Sequence, residues 1–233
     1  MSEKGRATSE QTSQWRKALQ VADDISELAQ CTLVIEAIVE DRHAKHVLFE
    51  QLESVVAVDA VLASNTSSLS ITELACGLRQ PGRFCCFHFF IPVPLMKLVE
   101  VVPRLRTHSA VCDSLADFAR KMGHTPVRAQ DTPGFIVNLL LIPYLLQAIA
   151  ELEKGVATKE DFDTAIRLGL NHPMGPFTLL DFVGLDTTLF IADAVFDETK
   201  DSRFAAPPLL RRMVSAGWLG RKSGRGFYDY GKA

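Results

Sequence analysis

The chain has 233 residues, 47% of them hydrophobic and 23% charged, an ordinary globular composition with length for one large domain or two small ones rather than a disordered segment. A formal net charge of −3 supplies no field that would gather nucleic acid, so neither DNA nor RNA is expected as a partner. Five cysteines, Cys31, Cys76, Cys85, Cys86 and Cys112, show no C-x-x-C spacing, which argues against a disulfide framework or a zinc site and for a reducing, cytoplasmic setting.

The opening MSEKGRATSEQTSQW has no apolar centre, and its Glu3 and Glu10 sit poorly in a transit peptide, so it reads as a frayed polar start. From Thr32 the run TLVIEAIVE is nearly continuous and β-branched, the signature of a strand buried on both faces. His43 to Val56 carries Ala44, Val47, Leu48 and Leu52 at helical spacing. Val58 to Ala63 reads as a second buried strand, SNTSSL at 64–69 as a polar loop, Ser70 to Leu78 as a short helix, and RFCCFHFF at 83–90 as a third strand. After the turn IPVP at 91–94, KLVEVV is a fourth strand and Ser109 to Met122 a helix, with TPVRAQD closing this half. This is α/β grammar, a mostly parallel sheet with helices.

DTPGF at 131–135 predicts a helix start with Pro133 in its first turn. Phe135 to Glu153, Lys159 to Leu168, Thr178 to Asp193 and Pro208 to Ala216 then read as helices. The expected domains are residues 1–130, a partial Rossmann-type unit, and 131–233, an all-α unit. The greasy stretch Phe135 to Ala150 is interrupted by Asn138, Pro143 and Gln147 and is too short for a membrane span, so it reads as a buried helix.

A Rossmann unit should open with strand, G-x-G-x-x-G and helix. Nothing here does so: GLRQPGRF at 77–84 and SGRGFYDYG at 223–231 fit the glycine spacing badly and read as turns. At least one βαβ unit of roughly 30 residues is therefore expected to be absent. The sheet would begin in its middle, as in a shortened gene product or fragment, leaving an apolar edge to be tolerated, covered by dimerisation or completed by another chain.

Two strand residues carry chemistry. If the strands around Pro94 pair as a hairpin, residues whose numbers sum to 188 face each other, which sets His88 opposite Glu100, with Cβ atoms about 4.5–5.5 Å apart. Such a pair fixes the ring tautomer and stabilises the imidazolium formed when the other nitrogen takes a proton. The alternative is a satisfied core histidine and a glutamate whose head reaches solvent; both readings stand at this level. The SNTSSL loop follows a strand and so lies where open sheets bind ligands. Ser68 and Ser70 read as helix caps, Ser67 either as a cap or as a ligand contact, and Asn138 either as solvent-side or backbone-bonded or as pointed at a ligand. His43 and His46 in HAKH read as a surface helix face without metal, and Met96, Met174 and Phe177 as core.

VIEAIVED (34–41), ASNTSSLSIT (63–72), RFCCFHFFIPVPLMKLVEVV (83–102), DTPGFIVN (131–138), HPMGPFTLLDFVGLD (172–186) and LGRKSGRGFYDY (219–230) together resemble the 3-hydroxyacyl-CoA dehydrogenase family from about residue 19 onward. The resemblance implies an oxidoreductase of fatty-acid metabolism that oxidises an L-3-hydroxyacyl-CoA thioester with NAD. It makes His88 the base, Glu100 its orienting partner, and Ser67 and Asn138 the donors to the substrate oxygen. Glu40, Lys45, Ser67 and Lys222 match family positions near the cofactor, and the helical half implies a homodimer. The choice of NAD over NADP rests on this likeness alone. Departures are Ile91 for the family's Asn, Leu139 for Arg and Cys86 for Gly. With the missing glycine loop they keep open a second reading, a non-catalytic dimerising or binding module; an enzyme acting on free hydroxy acids is a third.

Overall fold

The computed structural model describes residues 8–67 and 69–231. Its core is a five-stranded sheet in sequence order: β1 (Leu33–Glu36), β2 (Val61–Ser64), β3 (Phe84–Phe89), β4 (Leu98–Pro103) and β5 (Thr125–Arg128). β1, β2 and β3 run parallel, β4 turns back antiparallel to β3, and β5 is parallel to β4. TPVR thus forms an edge strand, where Pro126 can do without a ladder donor. Val58, expected inside a strand, is 70% exposed in the turn before β2.

Helices α1 (Ser9–Ala18), α2 (Arg42–Val55), α3 (Ile71–Leu74) and α4 (Ser109–Lys121) accompany the sheet. The polar start is therefore helical from Ser9, because Thr8 and Gln11 close a reciprocal capping box; residues 1–7 lie outside the described ones. Ser70 caps α3 as expected, and Ser68 is outside the described residues. The period of two along β3 assigns its faces. Phe84 and Cys86 pack with Phe49 and Leu52 of α2, whereas Cys85 and Phe87 pack with Cys112, Leu115 and Ala119 of α4. By the same alternation His88 points to the face of Phe84 and Cys86.

The second half is helical: α5 (Val137–Glu153), α6 (Lys159–Gly169), α7 (Pro176–Val183), α8 (Leu185–Thr199) and α9 (Pro208–Ser215). Ile142, Leu145, Ile149, Phe177, Leu180 and Val195 lead its separate core. The single helix expected over Thr178–Asp193 is two, because Gly184 at φ +103° breaks it. That backbone conformation is one that only glycine adopts readily. Phe177 is core as expected, Met174 is half-buried, and Met96 is 43% exposed, since the loop between β3 and β4 stands away from the sheet.

DTPGF does not begin a helix. Phe135 N–H closes a turn on the Thr132 carbonyl (2.8 Å), Gly134 and Phe135 take φ +82° and +51°, and α5 starts only at Val137. A Cβ at Gly134 would stand 2.9 Å from the Leu139 nitrogen. Left-handed backbone at a bulky residue persists only where surroundings impose it, and here Phe135 is buried with its ring 5.6 Å from that of His88. Asp131 caps a different helix, accepting from Ile71 N (3.0 Å), Thr72 N (2.8 Å) and Thr72 Oγ1 (2.6 Å) at the start of α3.

Candidate active site

The register expected from the hairpin is the one found: His88 pairs with Glu100 across β3 and β4. His88 Nδ1 and Glu100 Oε2 are 2.7 Å apart, with the residues 6% and 1% exposed. The alternative in which the glutamate reaches solvent is thereby excluded. The other oxygen, Oε1, accepts from Ile136 N (3.1 Å) and Val137 N (3.0 Å), the first amides of α5. A carboxylate at a helix N-terminus is stabilised by the unpaired amides and the helix dipole. Glu100 is thus an acceptor on both oxygens, His88 donates from Nδ1, and the lone pair is left on Nε2. The strained joint at Gly134–Phe135 has its role here, aiming the α5 amides at Glu100.

His88 lines a half-enclosed cavity of about 390 Å³ between the two halves of the chain. Most of its wall is apolar, including Ile91, Leu141 and Phe182; Ser67, His88 and Asn138 supply polar groups. Asn138, on the first turn of α5, donates from Nδ2 to the Ser67 carbonyl at 3.4 Å. The Ser67 hydroxyl has no hydrogen-bond partner among the described residues. Three of the four catalytic candidates therefore meet at one cavity, with the fourth, Glu100, behind the imidazole.

A second cavity, about 610 Å³, opens beyond the carboxyl ends of β1 and β2. Ala37, Ile38, Glu40, Asn65, Asp186 and Phe190 line it, and it shares Ser67, Ile91, Thr187 and Ile191 with the first. Asn65 Oδ1 accepts from Phe89 N (2.8 Å), leaving its amide nitrogen as a donor at this wall. Two sites that touch at Ser67 and Ile91 suit a transfer between two bound molecules. Apolar Ile38 and Phe190 with carboxylate and amide groups fit the nicotinamide-ribose end of a dinucleotide at the sheet edge where such ligands bind. No glycine-rich phosphate loop accompanies it among the described residues. The C-terminal string is a structural joint in which a Cβ at Gly226 would meet Asp181 Oδ1 at 1.9 Å. Asp181 accepts there from Phe227 N and Tyr228 N, each at 2.8 Å. Burial pushes its carboxyl above the ordinary range against these bonds.

The cofactor candidates separate. Ser67 and Glu40 lie on the cavity wall. Lys222 is half-exposed and ion-paired with Asp186 at 2.6 Å on the rim. Lys45 is 1% exposed, behind the cavity wall; its ammonium is held by Glu36 (2.6 Å) and by the wall residue Glu40 (3.1 Å). Sequence reasoning missed Glu36, read only as part of a strand. Its signal is an acidic residue closing an otherwise apolar strand nine positions before a lysine on the next helix. The departures are absorbed without strain: Cys86 is buried with Sγ 3.6 Å from the Thr66 carbonyl, Leu139 packs on the helical core, and Ile91 is 80% exposed between the cavities. His46 pairs with Glu50 (3.3 Å) on the surface of α2.

The model of the 3-hydroxyacyl-CoA dehydrogenase NAD binding domain matches residues 1–132, and that of the 3-hydroxyacyl-CoA dehydrogenase C-terminal domain matches 134–230. A 3-hydroxybutyryl-CoA dehydrogenase of Mycobacterium tuberculosis is 49% identical over 228 residues, covering 97% of this chain and 80% of that protein. The mitochondrial hydroxyacyl-coenzyme A dehydrogenase of Sus scrofa is 48% identical over 209 residues, 89% of this chain and 67% of its own length. The crystal structure of M. tuberculosis FadB2 superposes with a TM-score of 0.96 at 48% identity, over 98% of this chain and 81% of that one.

Proposed function

The chain belongs to the 3-hydroxyacyl-CoA dehydrogenase family, and from that premise we propose that it oxidises the C3 hydroxyl of an L-3-hydroxyacyl-CoA to the 3-keto thioester, with NAD as oxidant. NAD, when bound, supplies the hydride acceptor. Residues 1–130 form the cofactor-binding unit and 131–233 the helical unit that closes over the substrate. The acyl end lies in the apolar cavity, and Glu40, Asn65 and Ser67 with rim Lys222 hold the nicotinamide end in its neighbour.

The chain's own part is proton transfer and charge stabilisation. His88 Nε2 takes the C3 hydroxyl proton, and Glu100, fixed by two amides of α5, keeps the ring in the accepting tautomer and stabilises the imidazolium. Ser67 Oγ and Asn138 Nδ2 donate to the oxygen as it becomes a carbonyl, preorganised donors in a mostly apolar site. The observation that carries this reading is the 2.7 Å His88–Glu100 bond at the wall of a cavity that meets a second one at Ser67. An intact dyad weighs against the non-catalytic module.

Exposed Leu140, Leu168 and Leu170 on the helical half support a homodimer through it, and five free thiols suit the cytoplasm. The test is NADH formation from L-3-hydroxybutyryl-CoA and NAD by the purified chain. Turnover that disappears in His88→Asn is expected. No NADH with acyl chains of any length, from protein shown to be folded, overturns the proposal.

A further inference from the structure

A separate pocket, about 320 Å³, lies at the opposite end of the sheet from the two cavities. β4 runs antiparallel to β3 and pairs Pro103 with Cys85, so the residues after it stand past the amino end of β3, about 10 Å along that strand from His88. Cys76, Arg104 and Arg106 help to line this pocket, and none of its lining residues belongs to either cavity. The turn that carries the arginines is locked. Arg104 N donates to Thr107 Oγ1 (3.0 Å), Thr107 N to the Arg104 carbonyl (3.1 Å), and Thr107 Oγ1 to the Phe84 carbonyl (2.6 Å). Nη1 of Arg104 donates to the Ala75 carbonyl at 3.0 Å, which fixes the guanidinium. Its Nε is buried without an acceptor, and neither arginine has an ion-pair partner among the described residues.

A buried donor without an acceptor calls for an explanation. Burial, and after it the neighbouring Arg106, hold the Arg104 guanidinium below its ordinary range, against the weaker pull of Cys76 and Asp131. Asp131 is already spent on Ile71 N, Thr72 N and Thr72 Oγ1. Two like charges side by side cost the fold something that a bound anion would reverse. With Nη1 occupied, Arg104 still offers its Nε–H and Nη2–H edge, the planar fork that meets two oxygens of a phosphate. A dianion suits two unpaired guanidiniums better than a carboxylate with its single charge. At about 30 Å³ per water the pocket has room for about ten waters, more than a phosphate ion alone fills, and Ala75, Leu78 and Leu105 give it an apolar side. We propose that Arg104 and Arg106 form a binding site for a small organic phosphate monoester, gripped by its phosphoryl group and distinct from the dehydrogenase cavities.

The experiment is calorimetric titration of the full chain with glycerol 3-phosphate and with inorganic phosphate, at an ionic strength held constant with chloride so that general screening cancels. A Kd at or below about 1 mM is expected for glycerol 3-phosphate. Arg104→Gln and Arg106→Gln should each weaken it at least about tenfold, as loss of a hydrogen bond to a charged group does. Arg106 is exposed, so R106Q remains a folded test even where R104Q disturbs the turn. Cys76 is exposed in the pocket and Cys31 is half-buried outside it; bound glycerol 3-phosphate should slow alkylation of Cys76 by iodoacetamide and leave Cys31 unchanged. NADH formation by R106Q should match the wild type. An inactive wild type would bear on the dehydrogenase reading alone, since the titration needs no turnover. No binding of glycerol 3-phosphate, binding that R106Q leaves unchanged, or slowing of Cys76 no greater than that of Cys31 each overturns the proposal. Tighter binding of inorganic phosphate than of its ester would overturn the organic ligand.

Discussion

Replacing Glu100 with glutamine separates the chemistry of the dyad from its packing. In the wild type Glu100 accepts three N–H groups, from His88, Ile136 and Val137. Glutamine has one oxygen. If that oxygen stays on the two α5 amides, the side-chain NH2 faces His88 Nδ1 and can only donate to it. The ring must then offer a lone pair at Nδ1 and carry its proton on Nε2, the atom assigned as base. The reversed tautomer forfeits general-base catalysis, about 10²–10⁴-fold in kcat, or about 3–5 kcal/mol of barrier at 1.36 kcal/mol per tenfold. KM should move by less than about twofold, since Glu100 is 1% exposed and lines neither cavity.

Stability should fall by no more than the ~1.5–3 kcal/mol of one hydrogen bond to a charged group. Glu100→Ala, by contrast, breaks the buried pair with His88 and strips two half-buried amides of their acceptor, and should cost about 3–5 kcal/mol, the usual result of breaking a buried pair. The assay is steady-state NADH formation beside urea unfolding followed by circular dichroism. A folded E100Q enzyme with kcat within threefold of wild type would show that the carboxylate does not set the tautomer, and the reasoning from the register would collapse.

Ser67→Ala should lower kcat about 10²–10³-fold, the cost of one donor to a developing oxyanion, while leaving the unfolding free energy from urea melts unchanged within ~0.5 kcal/mol; its hydroxyl has no partner among the described residues to lose. Gly226→Ala should destabilise by about 1–3 kcal/mol, because the new Cβ would lie 1.9 Å from Asp181 Oδ1. For a chain of this size that is about 2–4 °C in Tm per kcal/mol, and an unchanged melting curve would refute the close approach. Asp181, pushed up by burial, binds a proton more tightly folded than unfolded, so its contribution to stability falls as pH rises from its ordinary value of 3.8 through its folded titration. The stability of wild type relative to Asp181→Asn, from urea melts across that acid range, should therefore decrease with rising pH; a flat or rising difference contradicts the shift.

Where the sequence was legible, a strict period or a local bond decided the outcome. Alternation along RFCCFHFF and KLVEVV, with one turn centre at Pro94, was enough to oppose His88 and Glu100, because a hairpin register leaves no freedom once the centre is known. Ser70 was legible as a cap for a similar reason: the amide that donates to its hydroxyl lies three residues on, at Glu73 N. Illegible were the groups whose partners come from distant strands. Asp131 looked like the start of its own helix and instead caps α3, some 60 residues earlier. Glu36 was overlooked, since nothing local shows that it and Glu40 enclose the ammonium of Lys45. The same holds for Gly134, Phe135 and Gly184, whose positive φ values answer to tertiary demands, the first two to Glu100's need for two amides. A polar side chain in an apolar element declares that a partner exists, because burying it alone is costly; only the packing of loops from separate crossovers says which partner it is. The dyad was readable because both its members lie in one hairpin, and the ion cluster around Lys45 was not because its members come from a strand, a helix and a loop.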